Sequence, residues 1–185
     1  MSKFDELYTN AINERPEQFI RPTMPYIKCS INGINLIALI DTGSMITCTN
    51  LDIANKCDII SEMDDRFKLE VAGVGNKTSI GKNYGVDIVI NGKNIVMPIT
   101  VLDISLRDCD MLIGLDLMRS FQANVDFKTN TLNLNAQSSV LQTKLLSERD
   151  LATFHLVRQL IEISNGKVNE IEAENLLSQN NYNLD

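Results

Sequence analysis

A mainly β body followed by a small α-helical C-terminal segment is what this sequence predicts, on three observations. Two Asn-Gly dipeptides, Asn32-Gly33 and Asn91-Gly92, each separate two short apolar runs rich in Ile and Val. Between Met24 and Asn135 such runs recur, punctuated by Gly, Asn and Asp, the texture of a multi-stranded β domain. Beyond residue 138 the apolar residues fall instead at spacings of mostly three and four, the period of a helix.

Taken in order, residues 1–23 are mixed and polar and end among Pro16, Pro22 and Pro25, which predicts an N-terminal linker with one short helix. Tyr26 to Ile31 and Ile34 to Ile40 flank the first Asn-Gly; Val86 to Ile90 and Ile95 to Val101 flank the second. Asn-Gly favours a type I′ turn, because both turn residues need positive φ, so two β-hairpins are predicted. Each hairpin is followed by a Gly-containing turn and a helix-compatible piece, Leu51 to Lys56 and Leu115 to Phe121, a similarity that hints at internal duplication. Between them Gly73, Gly75 and Gly81 punctuate a strand-like stretch and predict a mobile hairpin. Thr131 to Asn135 is the last β segment. Leu141, Leu145, Leu151, Phe154, Val157, Leu160 and Ile161 then place a helix over 138–164, ended by Asn165-Gly166, and Ile171, Leu176 and Leu177 a second one over about 168–179.

The chain of 185 residues suffices for one main domain and a modest appendage. A net charge of -7 disfavours phosphate neutralisation, so nucleic acid is not expected as a partner. No apolar run approaches the roughly 18 residues of a membrane span, and the polar, acidic start is unlike a signal peptide, so an intracellular protein without a membrane partner is expected. Cys29, Cys48, Cys57 and Cys109 form no C-x-x-C pair and His155 stands alone. Free thiols are expected, and neither a metal nor a cofactor.

One stretch carries chemistry. Leu36 to Ile40 is a five-residue apolar strand that runs straight into Asp41-Thr42-Gly43-Ser44. Asp, Thr, Gly and Ser are all ordinary turn formers, and Asp-Thr-Gly arises by chance in on the order of a few per cent of chains this size, so the tripeptide alone is weakly specific. A carboxylate placed there can activate a water for peptide hydrolysis, with Thr42 bracing the turn through its hydroxyl and Gly43 bringing the backbone close. That chemistry needs two carboxylates sharing a proton. No second Asp-Thr-Gly or Asp-Ser-Gly occurs, and Gly114-Leu115-Asp116 has the wrong order, so a symmetric homodimer must supply the partner.

Asp41-Thr42-Gly43-Ser44 after an apolar strand, a Gly-rich hairpin, and Met111-Leu112-Ile113-Gly114-Leu115-Asp116 together resemble the retropepsin pattern of aspartic proteases. Within it the chain is most similar to the eukaryotic DNA-damage-inducible ubiquitin-shuttle proteases, through Pro16-Glu17-Gln18-Phe19, Met24-Pro25-Tyr26-Ile27, Gly73-Val74-Gly75, Leu115-Asp116-Leu117-Met118 and Gln122-Ala123. That family usually has Asp-Ser-Gly-Ala where this chain has Asp-Thr-Gly-Ser, and often begins with a ubiquitin-like domain for which these residues leave no room.

The resemblance implies a closed acid-protease β-barrel over 24–136 that acts as a homodimer, with Asp41 catalytic and Leu112, Ile113 and Gly114 forming the second apolar-Gly turn behind it. It makes residues 71–84 a flap that closes over an extended peptide, with Gly73, Val74, Gly75 and Ile80 facing substrate. Val74, Ile80, Ile113 and the strand before Asp41 are pocket formers on this reading and core residues on the plainer one. Thr131 to Leu134 is implied at the intersubunit sheet. Residues 137–185 form a helical tail with two open readings: a partial ubiquitin-associated domain, from Ala173, Leu176, Leu177, Asn180, Tyr182 and Leu184, or a two-helix packing element. The implied function is an aspartic endopeptidase of the ubiquitin-proteasome pathway, in cytoplasm and nucleus, with polypeptide substrates, ubiquitinated ones included, and with ubiquitin and the proteasome as partners. The alternatives are a non-catalytic dimeric ubiquitin-binding adaptor and a retrotransposon-derived protease.

Overall fold

A computed structural model describes residues 2–19, 22–66, 68–71, 77–136, 139–180 and 182. The N-terminal helix α1 (Lys3–Glu14) starts on a Ser2–Asp5 capping box and buries none of its residues; Tyr8 meets Phe19 edge-on at 5.6 Å. The body then follows as β1 (Tyr26–Ile31), β2 (Ile34–Ile40), β3 (Cys48–Asn50), α2 (Leu51–Lys56), β4 (Glu70–Val71), β5 (Lys77–Ile90), β6 (Lys93–Leu102), β7 (Met111–Ile113), α3 (Leu115–Ser120), β8 (Asn124–Asp126), β9 (Thr131–Ala136) and β10 (Ser139–Lys144). The helices α4 (Glu148–Ile163) and α5 (Glu170–Gln179) close the chain.

Both Asn-Gly turns form as their chemistry dictates. Asn32 and Gly33 have φ of 49° and 78°, Asn91 and Gly92 of 48° and 73°, and each joins an antiparallel hairpin, β1–β2 and β5–β6. Strand order is β1-β2-β7-β3-β6-β5, and β1 pairs back onto β5 through Ser30 and Ile31, which closes six strands into a barrel. Two register shifts let the 14-residue β5 bend around it. Ile27, Leu36, Ile88, Ile99, Met111 and Leu132 lie in the closed core. β2 buries Leu36, Ile37 and Ala38 in succession, so both of its faces are covered.

The connection between β2 and β3 matters most for the site. β7 inserts between them, parallel to β2 (Ala38 beside Met111, Leu39 beside Leu112, Ile40 beside Ile113) and antiparallel to β3. The chain leaving β2 must therefore loop over the end of β7 before it returns as β3. That loop is residues 41–47.

Two expectations are corrected. Of the helix expected over 138–164, residues 139–144 form strand β10 instead; α4 begins only at Glu148, on a Ser147–Asp150 capping box. Leu141 and Leu145 are four apart, which is a helical spacing but also an even one, so a strand places both on one face. Both are buried, while Val140 between hairpin partners stays exposed. Pairing with β9 decides the conformation. Thr131 to Leu134, expected at an intersubunit edge, lies in β9, the middle strand of the sheet β10-β9-β8. Thr131, Leu132 and Asn133 have neighbours on both sides, so the free edges belong to β8 and β10. On β10, the side chains of Asn91 and Lys93 donate to the carbonyls of Gln142 and Val140 at 2.8 and 3.0 Å.

The tail helices pack through Val157, Ala173 and Leu177, with Asn165 and Gly166 both at positive φ between them. Among the described residues no helix is long and apolar enough to cross a membrane.

Candidate active site

Asp41 directly follows β2. Its N–H donates to the Ile113 carbonyl at 3.0 Å, which extends the β2–β7 ladder by one step. The turn then folds back on the carboxylate: the Gly43 N–H donates to Asp41 Oδ1 at 2.9 Å, and the Ser44 N–H to the Asp41 carbonyl at 3.1 Å. A carboxylate that accepts from the backbone two residues on is an Asx-turn, which fixes the side chain without help from another side chain. A Cβ on Gly43 would stand 3.1 Å from that same oxygen, so glycine keeps the carboxylate uncrowded. Asp41 is half-buried.

Thr42 is exposed, and its hydroxyl makes no hydrogen bond among the described residues. Within the described residues the turn is braced by the N–H groups of Gly43 and Ser44. Ser44 contributes more: its hydroxyl donates to the Ile46 carbonyl at 2.7 Å, and its carbonyl accepts the Leu115 N–H at 2.9 Å.

The second apolar-Gly turn does lie against this loop. Leu112 is half-buried and Ile113 fully buried. At Gly114 a Cβ would fall 2.4 Å from the carbonyl carbon and oxygen of Ile46, closer than any real contact, so only glycine lets the loops meet. Two side chains that sequence reasoning did not select lock the meeting. Thr47, fully buried, donates its hydroxyl to Asp116 Oδ1 at 2.7 Å and accepts the Gly114 N–H at 3.1 Å, while its own N–H donates to Asp116 Oδ2 at 2.9 Å. The Leu117 N–H also donates to Asp116 Oδ1, at 2.7 Å. Asp116 is thus a brace between the loops, its oxygens already engaged. A signal for Asp116 itself was present, an acid two residues past the glycine of an apolar-Gly turn, but nothing in the sequence pairs it with Thr47.

Cys48 sits beneath the loop. Burial pushes its thiol up to about 11, with the Asp116 and Asp41 carboxylates adding to the effect. All four cysteines are free. Among the described residues no three His, Cys, Asp or Glu side chains gather to hold a metal ion.

β4 and β5 form the hairpin at which the flap was expected. Gly73, Val74 and Gly75 lie outside the described residues. The base is firmly tied: the Ser79 N–H donates to the Leu69 carbonyl and the Leu69 N–H to Ser79 Oγ, both at 2.8 Å, and Asp64 and Lys82 exchange two backbone bonds of 2.9 Å. Ile80 is half-buried against the barrel core, and Ile113 with most of β2 belongs to the core itself.

This geometry has known counterparts. Residues 16–126 match the aspartyl protease family. The chain is 32% identical over 147 residues to DNA damage-inducible protein 1 of Yarrowia lipolytica, covering 80% of this chain and 36% of that protein. It is 35% identical over 141 residues to protein DDI1 homolog 1 of Homo sapiens, covering 76% of this chain and 35% of that one. It therefore spans about a third of the length of these relatives. Among solved structures, the retroviral protease-like domain of Ddi1 from Leishmania major superposes with a TM-score of 0.61 at 26% identity, over 70% of this chain and 99% of that domain.

Proposed function

Since the chain belongs to the aspartyl protease family and carries a retropepsin-type fold, we propose that it is an aspartic endopeptidase in which Asp41 and its copy in a second subunit activate one water across a homodimer. Asp41 carries the reading. It is held by backbone at the end of a barrel strand, oriented by the Gly43 N–H, and left half-open to solvent. Asp116, the other acid of these loops, is engaged in bracing, so the second carboxylate has to come from a symmetric partner.

Two carboxylates about 3 Å apart cannot both ionise comfortably and share a proton. The ionised one takes a proton from the water as the water oxygen attacks the peptide carbonyl carbon, and the protonated one gives its proton to the carbonyl oxygen. Proton transfer to the amide nitrogen then lets the C–N bond break. Residues 71–84 act as a flap that pairs with the backbone of an extended peptide.

A place in the ubiquitin-proteasome pathway of cytoplasm and nucleus, acting on ubiquitinated polypeptides, is proposed on the likeness to DNA damage-inducible proteins alone. A second reading, resting on the same likeness, is a dimeric ubiquitin-binding adaptor; titration with labelled ubiquitin chains separates the two. For the endopeptidase, Asp41→Asn abolishes cleavage of a peptide library while sedimentation still reports a dimer. Cleavage that persists in the variant refutes the assignment.

A further inference from the structure

Asp110 stands at the opposite end of β7 from Ile113 and is almost fully buried. It binds β2 three ways: its N–H donates to the Ile37 carbonyl at 2.8 Å, its Oδ2 accepts the Ile37 N–H at 2.7 Å, and its Oδ1 is paired with Arg158 Nη1 at 2.7 Å, whose Nη2 donates to the Asn35 carbonyl at 2.6 Å. The Asp110 carbonyl also accepts the Thr49 hydroxyl of β3 at 2.7 Å. Arg158 belongs to α4, its guanidinium 4.4 Å from the Phe154 ring centre and about a third exposed.

Only three residues of β2 and β7 are paired, in parallel, before the Asp41 N–H closes the ladder on Ile113. Parallel pairing is the weaker kind, and so short a ladder depends on its ends. One end is the Asp41 loop; the other is the Ile37–Asp110 pair, where a buried carboxylate is tolerated because Arg158 neutralises it. We infer that Arg158 is a positioning residue for Asp41: the tail helix pins the far end of the two strands that carry the catalytic loop. This rests on the protease reading for its consequence in activity, but not for its structural content.

The test compares the full chain with Arg158→Met, Asp110→Asn and the double variant. Arg158→Met strands a buried charge, and the ladder loosens from that end. Adding Asp110→Asn removes the charge, while the amide oxygen still accepts the Ile37 N–H. Amide exchange at Ile37 and Asp41 is expected to speed up about tenfold in Arg158→Met and to return close to the wild-type rate in the double variant, with the Ala173 amide of α5 unchanged throughout. Peptidase kcat is expected to fall about tenfold in Arg158→Met, with KM within about twofold, and to recover in the double variant. Unchanged exchange at Asp41 in Arg158→Met, or a double variant no better than the single one, overturns the inference. A wild-type chain that cleaves nothing refutes the protease reading instead, and exchange alone then decides this one.

Discussion

The Asp41 N–H and the Ile113 carbonyl, 72 residues apart in the chain, are 3.0 Å apart in the fold. That bond makes the first residue of the loop a continuation of the β2–β7 ladder. Asp41 thereby inherits the rigidity of the barrel, and whatever disturbs β7 or the turn after it is felt at the carboxylate.

Gly114→Ala is expected to be severely destabilising. The new methyl would meet backbone atoms of Ile46 at 2.4 Å, and backbone cannot move aside as a side-chain tip can. A loss of about 3 kcal/mol is predicted from the cost of overpacking. Urea unfolding measures it; a loss below about 0.5 kcal/mol, the range of neutral surface changes, would show that the loops are not in contact.

Thr47→Val keeps the shape and removes the hydroxyl. The Gly114 N–H loses its acceptor and Asp116 a donor, both in a water-poor place, and the cost is predicted at about 1–3 kcal/mol. Thr47→Ser, which keeps the hydroxyl, should recover most of it. Equal losses for Val and Ser would mean that the methyl group, not the hydrogen bonds, matters here.

Alkaline solution should unfold this protein in part through Cys29. Burial raises its thiol from about 9 to about 12, so above pH 9 the unfolded chain releases a proton that the folded chain retains. The unfolded state then binds fewer protons, and stability falls as pH rises from 9 toward 12, by at most about 1.4 kcal/mol per pH unit for this group. The drop in unfolding midpoint between pH 8 and pH 10 should be smaller in Cys29→Ala than in the wild type. An identical drop would remove Cys29 from the account.

Much of this was legible in the sequence because it is local. A type I′ turn is written in two residues, and Asn32-Gly33 and Asn91-Gly92 took the positive φ values their composition favours. The helices α2 and α3 lie where Leu51 to Lys56 and Leu115 to Phe121 placed them. β10 was not legible, since Leu141 and Leu145 satisfy both periods and only β9 chooses between them. At the site, Asp41 and the apolar-Gly turn were readable as motifs. The pairs Thr47–Asp116 and Asp110–Arg158 were not: their members are 69 and 48 residues apart, and nothing in either neighbourhood names its partner until the strands are laid side by side.

The central claim is that one active site takes a carboxylate from each of two subunits, and subunit mixing tests it most directly. Wild-type chain is exchanged to equilibrium with an equal amount of Asp41→Asn chain, and the rate of peptide cleavage is compared with that of the wild-type chain alone at the same wild-type concentration. With a shared dyad, mixed dimers are dead and the rate falls to roughly half, because random pairing in a two-fold dimer leaves half of the wild-type subunits beside an inactive mate. An unchanged rate would mean that each Asp41 works alone, which contradicts the account.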